Sequence, residues 1–216
     1  MKIRTTERLN ELILDDLAWR KQEIAAFDGQ VARSKGIART ALLRASAALL
    51  YAHWEGFVKH SSYLYANYLA TLRLPQNGVR NEIVAFGLRS HFKRMESAKR
   101  ITDFVTFVEE FRAAELSRLR IMGDKEAIDT QSNLSSRVLE DLLNTFGISY
   151  APYVPDADLI DLNLLVLRNA IAHGELVELA EPEWSDLRRG VVSLLDRVAG
   201  DVLDHAVQRR YLSGAA

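Results

Sequence analysis

The sequence contains no cysteine, which excludes a disulfide framework, a thiolate zinc site and a cysteine nucleophile, and suits a reducing compartment. Proline and glycine are scarce, 4 and 11 in 216 residues. Little therefore interrupts a helix, and aliphatic residues recur at helical spacing over most of the length, leaving little room for strands. No uninterrupted apolar run approaches the roughly 20 residues that cross a bilayer. The N-terminal MKIRTTERLNELILDD scatters charges where a signal peptide would carry its apolar core. No membrane contact is expected, and the cytoplasm is the expected compartment. Neither sign of charge dominates: 28 basic residues face 29 acidic ones, for a net charge of −1. A protein that coats nucleic acid by bulk charge is thereby excluded, so any such contact must be local. HExxH, an Asp-rich loop and a Gly-rich phosphate loop are all missing, and His60, His91 and His205 have no companions at metal-ligand spacing. No metal and no cofactor is expected.

What is present, 48% hydrophobic and 26% charged residues, is the balance of a folded chain. The length suits one domain, residues 1–216, of the all-α class. A first helix is expected after Thr5 or Thr6 to about Ser34, and a second, central one from about Ile37 to Leu74. The apolar face of the central helix would comprise Leu42, Ala45, Leu49, Leu50, Trp54, Phe57, Val58, Tyr65 and Leu69. Residues 79–131 read as a helical insertion packed on one side, with short helices around Val84–Phe92 and Thr102–Leu119 and a polar loop near Gly123–Asp129. A helix from Leu134 to Phe146 follows, with Ser132 or Asn133 as its cap and Gly147 as its end. Asp156 or Asp158 is placed to cap a helix from Leu159 to His173 that Gly174 terminates. Pro182 opens a last helix to about Tyr211. The architecture these elements imply is an antiparallel helical bundle with a helical insertion.

Within the penultimate helix, LRNAIAHGE at Leu167–Glu175 sets an arginine, an asparagine and a histidine in an apolar run. Asn169 and His173 share a helix face, whereas Arg168 and His173 point roughly 140° apart. Either the long arginine curls around, or the helix loosens before Gly174. An imidazole moves protons near neutrality and a guanidinium binds phosphate oxygens, which are the two functions needed to cleave RNA without a metal. A base takes the ribose 2′ proton, and a fixed cation stabilises charge on the phosphate. A purely structural reading pairs Arg168 with Glu55 or another acid and leaves His173 as a helix C-cap. Glu55, beside an apolar face of the central helix with His53, Trp54 and Lys59, either orients Arg168 across the bundle or pairs with Lys59. The basic pairs Lys93-Arg94, Lys99-Arg100, Arg188-Arg189 and Arg209-Arg210 read as solvated faces. Tyr63, Tyr65 and Tyr68 read as core and rim of a long helix.

The segment DLNLLVLRNAIAHGE resembles the motif helix of the HEPN superfamily (higher eukaryotes and prokaryotes nucleotide-binding), marked by an arginine, a polar residue and a histidine four to six residues on. Here those positions are Arg168, Asn169 and His173. LLYAHWEGFVK at Leu49–Lys59 and QSNLSSRVLEDLLNTFGI at Gln131–Ile148 resemble a bacterial branch found among defence and toxin-antitoxin genes. The resemblance implies a four-helix core and a homodimer with a composite ribonuclease site. It also implies cleavage of RNA to a 2′,3′-cyclic phosphate, with Arg168 and His173 catalytic and Asn169 supporting them. An antitoxin or defence-system partner is implied as well. A catalytically inactive HEPN module that binds RNA, a nucleotide or a protein is the alternative, and a helical interaction scaffold the third. HEPN toxins silenced by a nucleotidyltransferase carry a tyrosine two residues after the histidine; Glu175 stands there, which argues against that route of silencing.

Overall fold

The first helix starts where the sequence supplies a cap. In the computed structural model, which describes residues 2–96, 98–114, 118, 119, 121, 128 and 133–214, Thr5 is extended and its hydroxyl accepts from the Arg8 amide at 3.2 Å. Helix α1 accordingly spans Thr6–Arg33, and Leu9, Ile13, Leu17, Ile24 and Val31 line its buried face. Helix α2, Gly36–Leu72, runs through the centre and packs on α1 and on the last helix. It ends short of Leu74 because Arg73 turns left-handed (φ 51°) and Leu74, preceding Pro75, is disfavoured in helix. Its inner line also differs from expectation. Ala45 is exposed and Leu42 and Leu49 are only half-buried, while Leu43, Ala47 and Leu50 face inward. Both 42–43 and 49–50 are Leu-Leu pairs, so periodicity cannot choose between lines one residue apart; packing against α1 does.

Beyond a 3-10 turn at Gln76–Gly78 come helices α3 (Asn81–Glu96) and α4 (Ile101–Ala114), where short helices were expected. Helix α4 stops before Leu119, which lies outside any helix and donates its amide to the Leu74 carbonyl at 2.8 Å. The loop expected near Gly123–Asp129 falls outside the described residues except for Ile128, which is buried. Helix α5 (Ser136–Thr145) is capped by the Ser135 hydroxyl, which accepts from Val138. Asn133 does not cap it, and Ser132 and Gln131 lie outside the described residues. The start is displaced because the buried Leu134 amide is already bound, to the Tyr51 hydroxyl of α2 at 2.7 Å.

A 3-10 stretch at Ala151–Asp156 continues through Ala157 and Asp158 into a π-helical turn, Leu159–Leu165, and then α6, Val166–Ala172. The backbone is already helical at Asp158, so no open first turn awaits a cap, and neither Asp156 nor Asp158 provides one: Asp156 binds Arg197 instead. Asp161, within the widened turn, accepts from the Ser136 amide at 2.7 Å and from the Ser136 hydroxyl, which ties the turn to the start of α5. Gly190 permits the close approach of the last helix, since a Cβ there would lie 2.5 Å from Leu159 Cδ2. That helix, α7 (Glu181–Val207), starts with Pro182 in its first turn. It ends before Tyr211 because Arg209 adopts φ 53°. Helices α1, α2 and α7 pack together, and the π turn with α6 lies against α2 and α7. Among the described residues the fold is all-α, with isolated bridges only at Pro75 with Arg118 and Val79 with Leu212. No helix among them is long and apolar enough to cross a membrane.

One apolar cluster extends from Ile3 to Tyr211 around the fully buried Trp54, Trp184, Tyr51, Tyr65 and Tyr153. Tyr65 and Tyr68 are buried, and Tyr63 packs at the edge. The core holds an ionisable pair, the Tyr65 hydroxyl and His205 Nδ1 at 2.7 Å. Burial, with Arg80 and Arg210 adding to it, pushes His205 down from 6.5 to about 4. A histidine depressed in this way binds fewer protons folded than unfolded, so its contribution is fully present above about pH 6.5 and drains away as the pH falls through about 4. Denaturant titration of the wild type between pH 7.5 and pH 4.5 should show a loss from this residue on the order of 2 kcal/mol. His205→Gln keeps an acceptor for Tyr65 and should flatten that part of the slope; equal slopes would contradict the assignment.

Candidate functional site

Arg168 sits in the first turn of α6 and is half-buried. Its guanidinium lies over the Tyr51 ring, Cζ 4.8 Å from the centroid, and Nη1 donates to Asn169 Oδ1 at 2.7 Å and to Asn133 Oδ1 at 3.2 Å. An aromatic face and two amide oxygens thus restrain a side chain that otherwise has many rotamers, and leave it charged. Tyr51 is itself held. Its hydroxyl accepts from the Leu134 amide at 2.7 Å and engages the half-buried Glu55 carboxylate. Burial pushes the Tyr51 phenol up to about 12; Glu55 adds to the shift, while the Leu134 amide and the Arg168 charge oppose it. Glu55, Tyr51 and Arg168 therefore form one connected group across α2 and α6.

His173 lies at the C-terminal end of α6, where its amide donates to the Asn169 carbonyl at 2.9 Å. The helix releases there: Gly174 takes φ 78° and Ala172 to Leu176 are exposed. Among the described residues no hydrogen bond engages the His173 ring, and none joins it to Arg168. Within one chain the arginine is docked inward and the histidine is presented to solvent. The connection that follows is held by Arg44 of α2, whose Nη2 donates to the Glu175 carbonyl at 2.6 Å. Further along, Arg39 pairs with Glu181 and the Ala180 amide donates to Glu183 at 2.8 Å.

The structure thus brings Arg168, Asn169 and Glu55 into one neighbourhood, with Asn169 directly on Arg168. His53 faces the other way, 2.9 Å from Glu23 of α1 with Trp19 against its edge. Sequence reasoning did not single out Tyr51 or Arg44, and it offered Asn133 only as a helix cap, not as a partner of Arg168. A tyrosine four residues before Glu55, on the same face of α2, was the available signal for the first. The other two carry none, because their roles depend on which elements become neighbours. Among the described residues no group of three His, Asp or Glu side chains is arranged to hold a metal ion.

No curated protein and no solved structure matches the chain. A family model does, over residues 9–211, a span that contains α2, α5, the π turn and the Arg168–His173 helix in the order described. The chain is a member of the HEPN_MAE_28990-like HEPN family.

Proposed function

We propose that the protein is a metal-independent endoribonuclease that acts as a homodimer in bacterial defence or in a toxin-antitoxin pair, its single domain carrying residues 79–131 as an insertion. The observation that carries this reading is the contrast between a guanidinium pre-positioned by Tyr51, Asn169 and Asn133 and an exposed imidazole just past the end of the same helix. His173 takes the proton from a ribose 2′-hydroxyl; the oxygen attacks the adjacent phosphorus; the bond to the 5′ oxygen breaks, and a protonated imidazole supplies the proton that oxygen needs. Arg168 faces the charge that accumulates on the non-bridging oxygens, and its fixed position lowers the reorganisation required at that moment. Asn169 and Glu55 position Arg168, the latter through Tyr51.

The dimer reading rests on the geometry of one chain, in which the arginine is docked inward and the histidine is exposed. Leu162, Val166 and Leu176 are exposed apolar residues flanking the motif, and a partner motif helix would cover them. Each phosphate would then meet Arg168 of one protomer and His173 of the other. Glu175 offers no phenol for nucleotidyl transfer, so silencing by that route is not expected.

The test is incubation of purified protein with tRNA, rRNA and mRNA in the presence of chelator. Cleavage at an unchanged rate, giving 2′,3′-cyclic phosphate and 5′-hydroxyl ends, is expected. A folded dimer that leaves all three intact overturns the enzyme reading and favours a module that only binds RNA or a partner.

A further inference from the structure

Arg168 and His173 leave the motif segment in different directions, yet both ends of that segment are tied to one stripe of α2. Arg44, Tyr51 and Glu55 follow one another at intervals of seven and four residues, a spacing that sets them on one helical face. Tyr51 takes the Arg168 guanidinium on its ring, and seven residues earlier Arg44 Nη2 donates to the Glu175 carbonyl at 2.6 Å. Glu175 in turn stands seven residues after Arg168. The two contacts therefore belong to a single antiparallel register between α2 and the motif segment, with His173 between them.

The second contact bears on His173 because little else holds that end. Helix α6, Val166–Ala172, is short, and His173 is its C-cap. Helix ends fray unless their last polar groups are engaged. Gly174 at φ 78° then turns the chain, and glycine brings more backbone freedom than any other residue. Both main-chain groups of Glu175 counter this: its amide donates to the Ala170 carbonyl at 2.9 Å, and its carbonyl accepts from Arg44. The first bond keeps the last turn wound, and the second fixes that turn to α2. No regular structure follows from Glu175 to Ala180. The next polar ties among the described residues are the Ala180 amide on Glu183 and Arg39 on Glu181.

Arg44 is half-buried, and its Nε is buried with no partner. The stem is thus enclosed, and packing delivers Nη2 to the carbonyl. Among the described residues no carboxylate pairs with this arginine. We infer that Arg44 is a positioning residue for RNA cleavage: through the Glu175 carbonyl it holds the end of α6 on α2 and so sets where the His173 imidazole stands relative to Arg168. The inference rests on the ribonuclease reading above. In the dimer the same bond fixes the imidazole that each protomer presents to the other.

Steady-state RNA cleavage by the full chain tests it, at a temperature where denaturation curves show every variant folded. Arg44→Met keeps the stem and removes the donors. Its kcat should fall on the order of 10²-fold, with KM within about threefold of wild type. Arg44→Lys restores a donor and should recover about tenfold of that loss. Arg39→Ala removes a cation from the same helix and should leave the rate unchanged. Amide order parameters at Glu175 and Leu176 should drop from about 0.85 to below about 0.6 in Arg44→Met and return in Arg44→Lys. A substitution that merely weakened the core would not loosen these two amides selectively.

An unchanged kcat in Arg44→Met overturns the inference, as do ordered amides in a slow Arg44→Met, no recovery with Arg44→Lys, or an Arg39→Ala protein equally slow. A raised KM at constant kcat, with the salt dependence reduced by about one, also overturns it by making Arg44 a direct phosphate contact. A wild type that cleaves no RNA removes the ribonuclease reading and this inference together. A wild type that cleaves RNA while Arg44→Met keeps its kcat removes this inference alone.

Discussion

His173→Ala is expected to reduce RNA cleavage by about 10²–10⁴-fold, the usual contribution of a positioned proton-transfer group. Because His173 is exposed and none of its ring atoms is hydrogen-bonded among the described residues, the substitution should leave helical content, dimerisation and stability within about 0.5 kcal/mol of the wild type. Arg168→Ala should be similarly inactive through loss of charge stabilisation. Mixing the two inactive variants distinguishes a composite site from one built within a chain. If each phosphate meets the arginine of one protomer and the histidine of the other, a mixed dimer contains one complete pair. Random exchange should then restore about a quarter of the wild-type sites. Quantifying cleaved RNA after co-refolding reads this directly. No recovery with confirmed heterodimers sinks the composite arrangement, and a His173→Ala rate within a few-fold of wild type sinks the catalytic role.

Tyr51→Ala is expected to cost about 3–5 kcal/mol, the range for deleting a large buried aromatic. Tyr51 is 1% exposed and serves the core and the site together. Its ring supports the Arg168 guanidinium and its hydroxyl satisfies the buried Leu134 amide. Tyr51→Phe separates these roles: the stacking face stays, but the Leu134 amide loses its acceptor, a loss of about 1–3 kcal/mol. Equilibrium denaturation should rank wild type, Phe and Ala in that order. Cleavage at a temperature where all three are folded should fall modestly for Phe and severely for Ala. Full activity in a folded Tyr51→Ala protein would show that Arg168 needs no aromatic support.

Much of the framework was readable because it rests on local chemistry. Thr5 caps α1 through its own hydroxyl, Gly147 and Gly174 end helices at φ 73° and 78°, and Pro182 fits a first turn. These choices involve residues a few positions apart, and the long apolar stripes of α1 and α7 follow from the helical period. The motif positions Arg168, Asn169 and His173 were legible for the same reason. The π-helical turn before them was not. It depends on Asp161 meeting Ser136 and on Gly190 admitting Leu159, contacts between segments brought together only by folding. The inner line of α2 was ambiguous too, since adjacent leucines satisfy either choice.

From the chain alone followed an all-α fold, those helix ends that a local cap or glycine sets, and a histidine and an arginine whose chemistry suits phosphate. Only the tertiary structure decided that the two are treated differently, with Arg168 locked on Tyr51 by a residue far away in sequence and His173 left open. Helical periodicity is set by neighbours within a turn, but the fixing of a flexible guanidinium needs partners from other helices, and those are supplied by the way the bundle closes.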